Sequence, residues 1–226
     1  VTATGRLSSR NPNFQNQPRG STFPIRKVIS SRFEGGSIME IDYAQLEFRT
    51  AVFLAQDAQG MEDIRNGVDV HQYTADIIGC SRQEAKPHTF KPLYGGMSGT
   101  ENEKKYYSAF LKKYPDIKVW HEKLQDEAIR TKVVTLPTGR QYAFPKAERM
   151  PWGGASSSTQ IKNYPVQGFA TADIVPLACI GIQELLEEHN TKSLLINTVH
   201  DSIVADVFPG EESLVASCLN KGCLGV

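Results

Sequence analysis

The sequence predicts an α+β fold, because helical and strand-like segments are mixed without the regular alternation of a parallel sheet. Two apolar segments, 194–199 and 202–207, are separated only by His200 and Asp201, which is typical of a tight antiparallel hairpin. A third segment, 37–43, is predicted to be a strand in which Met39, Ile41 and Tyr43 lie on one face and Ile38, Glu40 and Asp42 on the other. Most of the remaining chain has helical periodicity, so the sheet is expected to be small.

The other elements follow from periodicity and turn residues. In chain order we predict a loop over 1–31, a helix over 44–55, short helices between 61 and 78, helices over 101–114 and 117–131, a hairpin over 133–144 and a helical stretch over 156–188. Pro165 and Pro176 are expected to break or kink the last of these, because proline removes a helix N–H.

The segment 82–94 is an awkward helix candidate because it contains Pro87 and Pro92. Each would cost about 3 kcal/mol in an unadjusted helix interior. Either the helix starts late, near Lys86, or it is kinked. A kink would move Tyr94 relative to Lys86.

Composition excludes few classes of protein. The 226 residues suffice for one large domain or two small ones, and 40% hydrophobic residues can form a core. No apolar run approaches the roughly 20 residues of a membrane span, so no membrane partner is expected. The four cysteines have no metal-ligand spacing and are expected to be reduced thiols of an intracellular, cytoplasmic protein.

Net charge is zero, but the charge is unevenly placed. No acidic residue precedes Glu34, whereas six basic residues do: Arg6, Arg10, Arg19, Arg26, Lys27 and Arg32. Amide side chains lie between them, and cations with amides are what phosphate-backbone binding uses. A solvated arm explains the same composition equally well.

Two carboxylates stand out by position. Asp42 ends an apolar strand and Asp201 lies at the hairpin tip, where desolvation is costly unless something pairs with the charge. Two converging carboxylates repel each other unless cations bridge them, and Mg²⁺ suits carboxylates that act on phosphates. Two such ions about 4 Å apart can clamp an in-line displacement. Taken alone, each Asp is better explained as a helix or turn cap.

Five motifs in order change that interpretation. They are Thr2-Ala-Thr-Gly-Arg-Leu-Ser-Ser9 with Pro12-Asn-Phe-Gln-Asn16, Asp42-Tyr-Ala-Gln-Leu-Glu-Phe-Arg49, Arg82-x3-Lys86-x3-Phe90-x3-Tyr94-Gly95, Asn163-Tyr-Pro-Val-Gln-Gly168 and Val199-His-Asp201. Together they resemble family A (polymerase I-like) DNA polymerases, and the wording from Phe90 to Gly96 is closer to phage members.

The resemblance implies a right-hand polymerase core with an antiparallel-sheet palm and mostly helical fingers. Its parts would be the N-terminal palm with the DNA-contact segment and first catalytic motif (1–70), the fingers (71–145) and the C-terminal palm with the second catalytic hairpin (146–226). The implied reaction adds deoxynucleotides to a primer 3′-hydroxyl. Two Mg²⁺ ions would be held by Asp42, Asp201 and the backbone carbonyl of Tyr43.

The motif from Arg82 to Tyr94 has a physical interpretation of its own. Its four named side chains are spaced by four, so they would form one ridge of a helix, with two cations that suit a triphosphate. An ordinary exposed helix face is the usual meaning of such a stripe. By resemblance, Lys86 binds the triphosphate and protonates the leaving pyrophosphate, Phe90 stacks on the nucleotide, and Tyr94 holds the template side of the pocket.

Further roles come from the resemblance alone. Glu47 would be the steric gate against the ribose 2′-hydroxyl, with Gln45 beside it and His71 near the triphosphate. A helix-dipole Glu and a surface His are the alternatives. The DNA contacts would be Arg6, Asn13, Asn16, Asn163, Gln167 and His200. The chain departs from the family at Thr159, where an Arg is frequent.

Two other functions stay open at this point. A single-subunit RNA polymerase is a structural cousin, against which Glu47 and the Thr-Gly-Arg-Leu-Ser-Ser segment argue. A non-catalytic DNA-binding fragment that needs the missing thumb and exonuclease parts of a longer polymerase is the other. The expected partners are therefore primer-template DNA, deoxynucleoside triphosphates and the remainder of such a chain, in the host cytoplasm if the protein is phage-encoded.

Overall fold

The structure, a computed structural model, describes residues 1–15, 28–96, 98–151 and 153–225. It divides into two compact units. The sheet unit comprises Val1–Ala44 and Ala170–Val226, and the helical unit comprises Gln45–Phe169.

The sheet unit contains a three-stranded antiparallel sheet of β1 (Ser37–Asp42), β4 (Leu194–Val199) and β5 (Ser202–Val207), in the order β1-β5-β4. All three predicted strands are confirmed, with β1 ending one residue earlier than expected. Helices α8 (Val175–Glu188) and α9 (Glu212–Leu224) complete the unit. They pack on each other and on the sheet.

The helical unit holds the remaining elements. They are α1 (Leu46–Ala55), α2 (Ala58–Arg65), α3 (Val70–Ile78), α4 (Arg82–Thr89), a 3₁₀ helix (Lys91–Tyr94), α5 (Glu101–Lys113), α6 (Pro115–Thr131), the hairpin β2 (Val133–Thr135) and β3 (Gln141–Ala143), and α7 (Ser158–Gln167). An aromatic core joins α1 to α5, with Phe48 in edge-to-face contact with Phe110 and Tyr114.

The predicted boundaries at 70/71 and 145/146 differ from the observed ones at 44/45 and 169/170. Helix α1 joins the helical unit because its buried face, including Phe48, packs into the aromatic core. Helix α7 joins it because Ile161 packs with Leu124 and Ala128 of α6. Apolar contacts therefore decide which unit α1 and α7 belong to, and the order of the sequence motifs does not reveal those contacts. The names palm and fingers stay predictions.

Prolines shape two helices differently from the expectation. Helix α4 begins at Arg82 and tolerates Pro87, so a late start near Lys86 is wrong. The chain leaves the α-helix at Phe90 and re-enters a 3₁₀ turn in which Pro92 occupies the first turn, where no N–H is needed. In the predicted stretch 156–188, the irregularity is a π-helical segment, Gly168–Ile174, between the two prolines.

By length and composition alone, the continuous helix over 158–188 could cross a membrane, which the sequence analysis did not anticipate. The apolar side chains of Ala178, Ile182 and Leu186 are buried within the sheet unit, where α8 packs on α9 and on β4. A core helix of a globular protein has the same composition. We therefore interpret this buried stripe as part of the core of the sheet unit, while Leu177 and Ile180 of the same helix are exposed.

Two helical glycines provide a stability test. A Cβ at Gly222 of α9 would lie 2.3 Å from Cγ1 and 3.0 Å from the backbone N of Ile182, whereas a Cβ at Gly181 of α8 meets nothing within 4 Å. We expect Gly222→Ala to destabilise the fold by about 1–3 kcal/mol through overpacking. The matched Gly181→Ala should stabilise it by up to about 1 kcal/mol through helix propensity.

Urea denaturation of both variants measures the two free energies of unfolding. Equal effects of the two substitutions would contradict the close approach of α8 and α9.

Candidate active site

The β1–β5 register places two acidic residues at the same end of two paired strands. Asp42 is the Cα partner of Ser202, the residue after Asp201, and the ladder continues through a hydrogen bond from the Tyr43 N–H to the Asp201 carbonyl of 3.2 Å. Asp42 is exposed and Asp201 half-buried. The strand pairing thus brings the backbones of Asp42 and Asp201 to the same end of the sheet, and the convergence of their carboxylates stays a prediction.

The hairpin tip has a strained backbone. His200 has a φ of 60°, in the left-handed region that a residue with a Cβ adopts at a cost. A positive φ at the first central position is what a two-residue hairpin turn requires. Its imidazole is exposed beside Asp201. Strained residues of this kind cluster at functional sites.

Tyr43 is held by its side chain as well as its backbone. Its phenol donates a hydrogen bond of 3.0 Å to the carbonyl of Cys223 in α9, and burial raises the pKa of that phenol. The backbone carbonyl proposed as a metal ligand therefore belongs to a residue anchored at both ends.

The predicted DNA contacts of the sheet unit lie together. Arg6, Asn13 and His200 line one cleft. Within it, the Arg6 Nε is buried without a hydrogen-bond partner, while the Asn13 Oδ1 accepts from the Gln15 N–H at 3.0 Å. Asn16 lies outside the described residues.

The donor set at the sheet edge fits a hard cation. Two carboxylates and a carbonyl are oxygen ligands, and Mg²⁺ is typically held by one or two carboxylates with water and substrate phosphates completing its shell. Across the described residues no cluster of three or more His, Cys, Asp or Glu side chains could hold a metal without such help. The site thus suits an ion that arrives with a phosphate ligand.

In the helical unit, a capping box positions the two predicted cations. Ser81 and Glu84 exchange hydrogen bonds at the start of α4, which fixes the first turn and with it Arg82 and, one turn on, Lys86. Arg82 donates to Asp69 at 2.6 Å. This hydrogen bond is the main cause that holds the pKa of Asp69 below its ordinary value.

His71 lies against the same helix. Its Nδ1 is 2.9 Å from the Thr89 hydroxyl, and its ring meets Phe90 edge-on at a centroid distance of 5.2 Å. Burial, and then the positive charges of Arg82 and Lys86, lower the pKa of His71. The imidazole is therefore neutral at pH 7 and lies within the field of both cations.

Glu47 and Tyr94, predicted as separate pocket residues, are brought together: the Tyr94 hydroxyl donates to Oε2 of Glu47. Phe90 stands between the cations and Tyr94, with its ring nearly parallel to that of Phe48. Gln45 caps α1 with a φ of 55°, which delays the helix start from the predicted residue 44.

The predicted ridge is only partly helical. Arg82 and Lys86 share α4, whereas Phe90 ends it and Tyr94 ends the 3₁₀ helix. Asn163 and Gln167 lie one turn apart on α7, as the motif spacing requires. The Oδ1 of Asn163 is buried without a hydrogen-bond partner.

Sequence reasoning missed three features of the helical unit. Asp69 pairs with Arg82, and its position before an apolar helix could have indicated a capping residue. The bond between Tyr94 and Glu47 joins residues 47 positions apart, for which no local signal exists. Lys162 was overlooked because it lies directly before the motif that begins at Asn163.

The sheet unit thus carries two acidic residues at one end of its strands, and the helical unit, described by itself, carries a helix with two cations followed by two aromatic residues. Residues 1–222 match DNA polymerase family A. The chain belongs to this family.

Individual relatives agree. DNA polymerase I of Lactococcus lactis subsp. cremoris is 32% identical over 94% of this chain and 26% of its own length. The thermostable DNA polymerase I of Thermus aquaticus is 30% identical over 98% of this chain and 28% of its own length. The chain thus spans about a quarter of these relatives. The closer resemblance of the segment from Phe90 to Gly96 to phage members of the family stays a prediction.

Among solved structures, the POL domain of Pol1 from M. smegmatis in complex with DNA primer-template and dNTP is similar, with a TM-score of 0.83 and 25% identity. The likeness covers 99% of this chain and 43% of that one. The predicted α+β class and the family are therefore confirmed.

The effect of nearby positive charges on the pKa of His71 can be measured. Because Lys86 lowers the pKa of His71, we expect Lys86→Gln to raise it toward the ordinary value of histidine. NMR titration of the His71 imidazole follows the change. The control is Lys118→Gln on α6, whose charge does not act on His71. An unchanged pKa in Lys86→Gln would place Lys86 away from the pocket.

Proposed function

We propose that this chain is the catalytic core of a template-directed DNA polymerase that adds deoxynucleotides to a primer 3′-hydroxyl. The observation that carries the proposal is the β1–β5 register, which sets Asp42 beside the Asp201 turn. Family membership supports it, as does the M. smegmatis relative bound to primer-template and dNTP. Transfer of this kind depends mainly on positioning and electrostatics.

Asp42, Asp201 and the Tyr43 carbonyl would hold two Mg²⁺ ions. Such ions, when bound, activate the attacking hydroxyl and neutralise charge on the leaving pyrophosphate. The residues' own task is to keep two like charges adjacent on a rigid sheet. The anchored Tyr43 and the hydrogen-bonded turn serve that task.

Arg82 and Lys86 would bind the triphosphate, with Lys86 donating a proton to the leaving pyrophosphate. A phosphate can compete with Asp69 for Arg82, because that pair is exposed on both sides. Neutral His71 would donate a hydrogen bond without adding charge, Phe90 would stack on the nucleotide, and Tyr94 would border the templating base.

Arg6, Asn13 and His200 of the sheet-unit cleft would contact primer-template DNA, as would Asn163 and Gln167 of α7. The unpaired Arg6 Nε and Asn163 Oδ1 support this role, because buried polar atoms are rarely left unsatisfied. Asn16 belongs to the same proposed contact set. These substrates place the reaction inside the cell, in the cytoplasm.

Asp201 provides the direct test. We expect Asp201→Ala to lower primer extension in Mg²⁺ by about 10²- to 10³-fold, the scale of losing a principal electrostatic group. Primer-template binding should be largely retained, since the carboxylate does not bind DNA. A gel-based extension assay and a binding titration measure the two effects.

The control for Asp201 is Asp116→Ala, an exposed carboxylate in the first turn of α6. Extension by Asp201→Ala at the unmodified rate would refute the assignment. Binding of DNA without extension by the unmodified chain would favour the non-catalytic alternative, in which the remainder of a longer polymerase is required.

Glu47 separates DNA from RNA synthesis. If it is a steric gate, Glu47→Ala should raise ribonucleotide relative to deoxynucleotide incorporation by about 10- to 100-fold, the usual range for one group in a pocket. Glu47→Gln keeps the bulk and should preserve discrimination. The ratio of kcat/KM values for the two nucleotides is the measurement.

Preferred ribonucleotide use by the unmodified chain would instead identify an RNA polymerase relative.

A further inference from the structure

Lys162 of α7 is a half-buried lysine that none of the proposed roles uses. Its side chain lies across Gly95, the residue that caps the 3₁₀ helix directly after Tyr94. A Cβ at Gly95 would be 2.6 Å from the Lys162 Nζ and 2.9 Å from its Cδ. Gly95 has a φ of 74°, which favours glycine. The absence of a Cβ also leaves room for the side chain of Lys162. The ammonium is therefore held at the Tyr94 end of the nucleotide pocket.

This ammonium lacks a close counter-ion. Within the described ranges no carboxylate lies within 4.0 Å of its Nζ, and Glu122 acts on it only at longer range. Burial lowers the pKa of Lys162. A partly desolvated cation without a partner is unfavourable unless a ligand supplies the opposite charge.

His121, whose pKa is affected by the charge of Lys162, does not supply the missing negative charge. His121 is 4% exposed, and its Nε2 is buried without a hydrogen-bond partner. Burial, and next the charge of Lys162, lower the pKa of His121 to about 3. It is therefore neutral at pH 7 and adds no second positive charge beside Lys162, and an imidazole has no anionic form that could pair with the ammonium.

We propose that Lys162 binds a backbone phosphate of the template strand where that strand passes Tyr94. The proposal rests on the proposed polymerase function. A template phosphate is favoured over the nucleotide's triphosphate because Arg82 and Lys86 occupy the opposite end of the segment that ends at Tyr94. The compact ammonium suits a single phosphate oxygen.

The experiment is a salt titration of binding to a primer-template with a single-stranded template overhang. Each phosphate contact contributes about 0.7–0.9 to the slope of log affinity against log salt. Lys162→Met keeps the apolar stem and should reduce the slope by that amount. The loss of affinity between 50 and 200 mM salt should then be about threefold smaller than in the unmodified chain.

Lys162→Arg should retain the slope, and so should the control Lys105→Met, which removes an exposed charge from α5. If Lys162→Met does not fold, Lys162→Gln takes its place. An unchanged slope in the neutral variants would overturn the proposal. So would a raised nucleotide KM with an unchanged slope, because that result assigns Lys162 to the triphosphate. Failure of the unmodified chain to bind primer-template would overturn the polymerase assignment itself.

Discussion

The pairing of β1 with β5 is the constraint on which the candidate site depends. One antiparallel register sets Asp42 opposite Ser202, and the bond from Tyr43 to the Asp201 carbonyl extends it past the end of the strand. A slip of one residue would send every side chain of β1 to the other face. Ile41 and Ile203, paired across the two strands, resist that slip because Ile203 is fully buried.

Two carboxylates that converged at one end of the sheet would repel each other and oppose folding. The surrounding structure compensates with contacts that do not touch the acids themselves. The left-handed turn at His200, the buried Ser202 bonded to Glu40 at 2.6 Å, and the anchored Tyr43 each fix the backbone. If Mg²⁺ binds there as proposed, it would relieve this repulsion, so metal binding and stability would be linked.

The sequence predicted the sheet of this fold well because strand periodicity and a two-residue turn are local signals. It also located α1, α5, α6 and the joint stretch of α7 and α8 within two residues, but it did not predict α9. It failed where tertiary packing decides: Phe48 draws α1 into the helical unit, and Pro87 is tolerated inside α4. The hydrogen-bond partners of Arg82 and Tyr94 could not be predicted either, because a hydrogen bond between residues distant in sequence produces no periodic pattern.

The bond from Tyr43 to Cys223 has a wider meaning. This hydrogen bond makes α9 a support for the residue next to Asp42, although α9 carries none of the motif residues. Because this acceptor lies 180 residues further along the chain, the backbone next to Asp42 is fully supported only once α9 has packed on the sheet.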